Sequence, residues 1–208
     1  MTGATLRPWN DLASAAAVCT RCALHETRSR AVFGDGDPDA DLVFVGDAPG
    51  RHEELTGKPF EGAAGNLLDN LLLENDLARR DVYVLNLVKC RPPDHREPTD
   101  DEIDSCFPYL REQLAHVQPR VVVALGERVT SLLLGRHAPI AKIAGYRIPR
   151  AGATLIPTYH LADALRGSPT AMAALKRDVR TAKGVLDGRV PPAERGLVGD
   201  EPSGAGRS

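Results

Sequence analysis

No run of about 18 consecutive apolar residues occurs in this chain, so no segment is expected to span a membrane. The N-terminal MTGATLRPWNDL has no basic region followed by an apolar one, and no secretory leader is expected. Neither sign of charge dominates: 26 Lys and Arg meet 28 Asp and Glu, a net of -2. Nothing global therefore announces a nucleic-acid partner, and such a role needs a local basic face. Cysteine is scarce, four in 208 residues. In a chain read as cytoplasmic, four thiols point to ligation or catalysis before disulfides. No internal repeat is present. The remaining composition, 42% hydrophobic, suffices for one core. One domain is expected over residues 1–187, and the Gly, Pro, Ser and charge content of 188–208 predicts a disordered tail.

The chain is organised around residues 42–65, LVFVGDAPGRHEELTGKPFEGAAG. Leu42–Val45 reads as a buried strand. It breaks at Gly46-Asp47-Ala48-Pro49-Gly50, which cannot continue a central strand. A leucine-rich helix begins near Asn66. Strand, irregular polar loop, helix is the arrangement in which open α/β sheets bind ligands, at the carboxyl ends of strands. The loop offers a carboxylate, Asp47, and an aromatic, Phe60. The plain alternative is a βα connection rich in turn residues.

Three further strands are expected at Val82–Val88, Val121–Leu125 and Ala153–Pro157. Helices are expected at Pro8–Val18, from Thr99 as cap, at Glu127–Leu134 and at Pro169–Leu186. This alternation predicts an α/β domain, a mainly parallel four-stranded sheet with helices on both faces. The acidic turn GDGDPD lacks the spaced ligands of a calcium loop and reads as a turn. Three strand ends carry polar breaks in an apolar pattern: Asp47, Asn86 and His160. In a parallel sheet those ends converge on one crevice. A buried Asn needs partners, so Asn86 is either a structural bridge or a ligand-reading amide.

The cysteines fall as Cys19-x2-Cys22 and Cys90-x15-Cys106. Four thiolates suit zinc or a 4Fe–4S cluster, and spacing alone does not choose. Four unrelated buried thiols is the bland reading.

Cys19/Cys22, VFGDGDPDADLVFVGDAPG, GKPFEGAAG, VYVLNLVKCRPPDHREPT, Cys106, VVVALG and PTYH together closely resemble the family 4, iron–sulfur uracil-DNA glycosylases. The resemblance runs from about Cys19 to Leu186. It implies a uracil-DNA glycosylase fold with a 4Fe–4S cluster on Cys19, Cys22, Cys90 and Cys106. It also implies a uracil pocket of Gly46, Asp47, Ala48, Phe60, Asn86 and His160, with Asp47 and His160 catalytic. Phe60 would stack on the base, Asn86 would read its N3–H and O4, and His160 would donate to O2. The implied partner is uracil-containing DNA, acted on by a cytoplasmic monomer without membrane association. Basic groups to grip phosphate exist at Arg51, Lys89, Arg91, Arg96, Arg136 and Arg166, although each taken alone reads as a solvated surface charge. Two departures stand out: Asp47 where the family usually has Glu, and Leu161 where it usually has Pro. Alternatives are a glycosylase of broader base range, a uracil- or DNA-binding protein without activity, and a zinc-stapled nucleotide-binding domain.

Overall fold

The computed structural model describes residues 6–192. Helices α1 (Trp9–Ala17) and α2 (Leu24–Thr27) precede a two-residue strand, β1 (Asp35–Gly36). Strand β2 (Leu42–Gly46) is followed by α3 (Arg51–Thr56) and α4 (Gly62–Leu73), then β3 (Tyr83–Asn86). The long helix α5 (Asp100–Val117) leads to β4 (Val121–Leu125) and α6 (Glu127–Leu134). A one-turn α7 (Ile140–Ile143), β5 (Ile148–Arg150), β6 (Ala153–Thr158), α8 (Leu161–Leu165) and α9 (Pro169–Leu186) complete the fold.

The sheet has six strands in the order β1-β3-β2-β4-β6-β5. The four expected strands form its parallel centre, β3-β2-β4-β6, and β1 and β5 close the two edges antiparallel. Strand β1 is not expected, because two residues carry no readable period, and β5 falls in residues 136–152, which read as a basic, irregular or hairpin-like connection. Alternate strand residues feed two cores, as the period of two demands. Val43, Val45, Leu85 and Val122 pack with α1, α5 and α6. Leu42, Phe44, Val84 and Val123 pack with α4, α8 and α9. Burial on both faces is why these strands read as unbroken aliphatic runs. Helix α5 starts on a reciprocal cap: the Glu102 N–H donates to the Thr99 hydroxyl, and the Thr99 N–H donates to the Glu102 carboxylate at 2.8 Å.

After α9 the chain turns, with the Arg189 and Val190 N–H groups both donating to Gly184 O at 2.9 Å and Val190 packing on the second core. The rest of the expected tail, 193–208, lies outside the described residues. Among the described residues no helix is long and apolar enough to cross a membrane.

Candidate active site and cysteine centre

The chain leaves β2 for β3 on one side and later returns to β4 on the other. The crevice between β2 and β4 at their carboxyl ends is therefore the switch point of the sheet, where α/β proteins place ligands. Asp47 follows β2, Asn86 ends β3, Gly126 follows β4, and His160 follows β6. The expected convergence is present.

Gly46, Phe60 and Asn86 meet at one point. Gly46 lies opposite Asn86 in the parallel ladder. A side-chain carbon on Gly46 would sit 2.5 Å from the tip of the Phe60 ring and 2.6 Å from Asn86 Oδ1. Only glycine leaves room for the ring and the amide together. Asn86 is buried, and its side-chain amide has no hydrogen-bond partner among the described residues. The main chain beneath is fixed, since Leu87 N donates to Gly46 O at 2.8 Å and Val88 N to Asp47 O at 3.1 Å. Ala48 is half-buried against the first core and brings no polar group.

Phe60 has φ 55°, a left-handed backbone that a bulky residue avoids. Two contacts hold it there. Arg79 Nη2 donates to Phe60 O at 2.7 Å, while Arg79 Nε pairs with Asp69 at 2.5 Å. Gly65 in the first turn of α4 lets the Phe60 carbonyl approach; a side-chain carbon there would lie 1.8 Å from that oxygen. Phe60 is thus both a core residue and one wall of the crevice.

Asp47 is largely buried, and its Oδ1 has no hydrogen-bond partner among the described residues. Burial pushes its carboxyl pKa up, His160 and Arg128 pull it down, and Glu97 and Asp163 add to the rise. His160 caps α8, its Nδ1 accepting from Ala162 N–H at 3.1 Å. An Nδ1 that accepts leaves the proton of the neutral ring on Nε2, so the ring offers one donor.

The four cysteines line one small cavity, together with Arg21, Arg28, Lys89 and Tyr109. Arg28 Nη1 donates to Cys90 Sγ at 3.2 Å and to Cys19 O at 2.7 Å, and Lys89 N–H donates to Cys106 Sγ at 3.3 Å. Burial pushes the Cys106 thiol up to about 11 and that of Cys90 upward. Donors aimed at sulfur and a buried cation suit thiolates. Among the described residues no three His, Cys, Asp or Glu are placed to hold a single metal ion.

Lys89 overturns an expectation. It is fully buried rather than phosphate-gripping, with Nζ donating to Asn86 O at 2.7 Å and a pKa lowered to about 8 by burial. Arg91 and Arg96 are also engaged inward, with Glu54 at 2.7 Å and Glu102 at 2.6 Å, and Arg166 pairs with Asp163 at 2.5 Å. Arg51 and Arg136 stand exposed. The sequence reading missed three residues that shape the site: Glu54, Arg79 and Arg128. Each looks like an ordinary helix-surface or turn charge, and no local pattern marks it.

Comparison with known proteins agrees with this geometry. The Uracil DNA glycosylase superfamily model matches residues 33–180. A Type-4 uracil-DNA glycosylase of Saccharolobus solfataricus is 38% identical over 195 residues, 89% of this chain and 90% of its own. One from Thermotoga maritima is 40% identical over 171 residues, 81% of this chain and 89% of its own. A Type-5 uracil-DNA glycosylase of Pyrobaculum aerophilum is 36% identical but over only 54% of this chain and 60% of its own. The Type-4 relatives are the more identical, over more of this chain than this Type-5 one, and the chain belongs to the Uracil DNA glycosylase superfamily, with the type-4 uracil-DNA glycosylases.

Proposed function

We propose that this chain is a uracil-DNA glycosylase of base excision repair, flipping uracil from DNA and hydrolysing its N-glycosidic bond to leave an abasic site. The observation that carries the reading is the unpartnered Asn86 amide meeting the Phe60 ring over Gly46, at the switch point of the sheet. A base entering there finds a flat apolar wall and an amide edge. The Asn86 oxygen accepts from uracil N3–H and its nitrogen donates to O4, a pattern that cytosine reverses. Breaking the bond from N1 to C1′ leaves negative charge on the base, and the His160 Nε2–H is the donor for O2 where it accumulates. Asp47 accepts a proton from the attacking water or faces the cation-like sugar.

The cysteines fit a 4Fe–4S cluster. A single zinc draws its sulfurs in to about 2.3 Å each, whereas a cluster spreads four thiolates over four irons. Four cysteines around a shared cavity, with Arg28 donating to the Cys90 sulfur and the Lys89 N–H to the Cys106 sulfur, support the reading. Cys19, Cys22, Cys90 and Cys106 would hold it, and it would supply a crosslink plus electron-transfer capacity that hydrolysis does not use. The DNA partner is met by a monomer through Arg51 and Arg136 rather than by general charge.

The test is anaerobically purified protein incubated with a uracil-containing oligonucleotide, followed by alkali cleavage. Strand scission at uracil, absent with thymine, is expected. Binding without abasic product would instead assign a uracil-recognition protein.

A further inference from the structure

Besides the Asn86 amide, two buried polar atoms of opposite sense, one just after β2 and one just after β4, have no hydrogen-bond partner among the described residues. One is the acceptor Asp47 Oδ1 and the other is the donor Arg128 Nε. Buried donors and acceptors are paired with protein or ordered water, and an orphan costs the desolvation of its group. Arg128 lies in the first turn of α6 at the carboxyl end of β4, the strand beside β2. Its Nη1 donates to Pro98 O at 2.8 Å, and its Nη2 pairs with the Glu97 carboxylate. Both Nη groups are thereby turned to the loop before α5, which leaves Nε–H as the donor without a protein acceptor. The guanidinium is close enough to Asp47 to lower its pKa, second only to His160.

We propose that Arg128 is a positioning residue for the hydrolysis, its Nε and Asp47 Oδ1 being the two ends of a single site for the attacking water. This rests on the glycosylase reading above. The water donates one hydrogen bond to Asp47 Oδ1 and accepts one from Arg128 Nε–H, which leaves its second lone pair for the sugar. That lone pair forms the bond to C1′. The bond from C1′ to N1 breaks, its electron pair leaves on uracil, and the water proton passes to Asp47. Arg128 thus fixes where the oxygen sits and keeps Asp47 ionised. A phosphate grip fits less well, because both Nη groups already serve protein acceptors and the side chain is only 28% exposed.

The charged groups facing Asp47 are His160 after β6, Arg128 on α6, Glu97 before α5 and Asp163 on α8. Removing Arg128 takes away one of the two that favour the carboxylate, so the Asp47 pKa rises further. Activity that needs the carboxylate is then lost at higher pH than in the wild type.

The experiment measures uracil excision against pH and salt for wild type, Arg128→Gln, Arg128→Lys and Asp47→Asn, and follows the Asp47 carboxyl directly by carbon NMR. Arg128→Gln is expected to lose roughly tenfold to a hundredfold in kcat, the range of one hydrogen bond to a charged group. Its KM and salt slope stay unchanged, and its acidic limb and Asp47 titration both move up. Arg128→Lys keeps the charge and the Glu97 pair; its acidic limb stays put while kcat falls, a readout that survives even if the Gln variant folds poorly. Full kcat in Arg128→Gln with Asp47→Asn inactive would overturn the proposal alone. A loss confined to KM with a shallower salt slope would make Arg128 a phosphate contact and also overturn it. Full excision by Asp47→Asn would overturn the reading beneath it.

Discussion

At the scale of single residues the pocket is built on Asn86. A structural amide satisfies backbone groups, and its loss lowers stability without changing substrate choice. The Asn86 amide has no such partner among the described residues, and its Oδ1 stands over Gly46 beside the Phe60 ring. Asn86→Asp keeps the shape but replaces the proposed donor to O4 with a second, charged acceptor. One orienting hydrogen bond at a buried site is worth about 1–3 kcal/mol, or roughly tenfold to a hundredfold in rate. Asn86→Asp is expected to fold, keep its metal, bind uracil-free DNA normally and lose most excision. Near wild-type excision by a stable variant would make Asn86 scaffolding. Asn86 and His160 were legible in the sequence because each breaks an apolar strand pattern. Lys89 was not: beside Cys90 and Arg91 it reads as a surface cation, yet it lies buried against the Asn86 carbonyl. It lines the same cavity as thiols that arrive from residues 106 and 19, far away in sequence.

At the scale of elements the deciding feature is the turn into α4. Phe60 holds a left-handed backbone, which costs about 1–3 kcal/mol and persists only where its surroundings fix it. Here Arg79 clamps the carbonyl from the β3 side, and Gly65 admits it from the α4 side. Gly65→Ala would ordinarily favour a helix by about 1 kcal/mol. At this position the new methyl meets a backbone oxygen, not a flexible side chain, so either the turn or the helix must move. The expected result is a net destabilisation of about 1–3 kcal/mol, typical of overpacking, seen as a lower thermal midpoint. Excision falls further than stability does, through a higher KM as the stacking wall shifts. An unchanged KM would detach the Phe60 turn from base binding. The small-residue patch was visible in the sequence, but its purpose was not. The helix is expected near Asn66, after GAAG, whereas it starts at Gly62, and Gly65 in its first turn serves the carbonyl of Phe60 five residues earlier. The four central strands were legible from their aliphatic runs, and β1 and β5 were not, being defined by pairing rather than by composition.

At the scale of the whole molecule the cysteine cavity joins three distant parts of the chain. Cys19 and Cys22 lie between α1 and α2, Cys90 follows β3, and Cys106 sits on α5. The span between Cys90 and Cys106 carries Arg91, which pairs with buried Glu54 on α3, and Glu97 and Pro98, which hold Arg128. The same centre borders Lys89, whose Nζ holds the Asn86 carbonyl. The proposed cluster would therefore fix two walls of the proposed pocket without touching the base. Cys22→Ala tests this, because Cys22 lies between α1 and α2, outside the segments that carry Gly46, Phe60, Asn86 and His160, and is only half-buried. Metal affinity is folding energy where the site forms only in the folded chain. Loss of a crosslink closing loops of this length costs roughly 2–5 kcal/mol. The variant is expected to lose iron and visible absorption, to melt lower, and to be cut first by protease in the segment around α1 and α2. That segment would still be held by Leu12, Ala16 and Leu24 in the first core, the Trp9 ring contacts, the Arg7–Glu112 pair, His116 on Arg7 O, the Tyr109 hydroxyl on Ala15 O and the Ser29 bond to Glu54, but it would lose its covalent tie. Excision should fall through kcat, as Asn86 and Arg128 lose their fixed positions, while binding to uracil-free DNA holds. Full iron content in Cys22→Ala would exclude it as a ligand. Lost iron with unchanged kcat would confine the centre to stability and cut its link to the pocket.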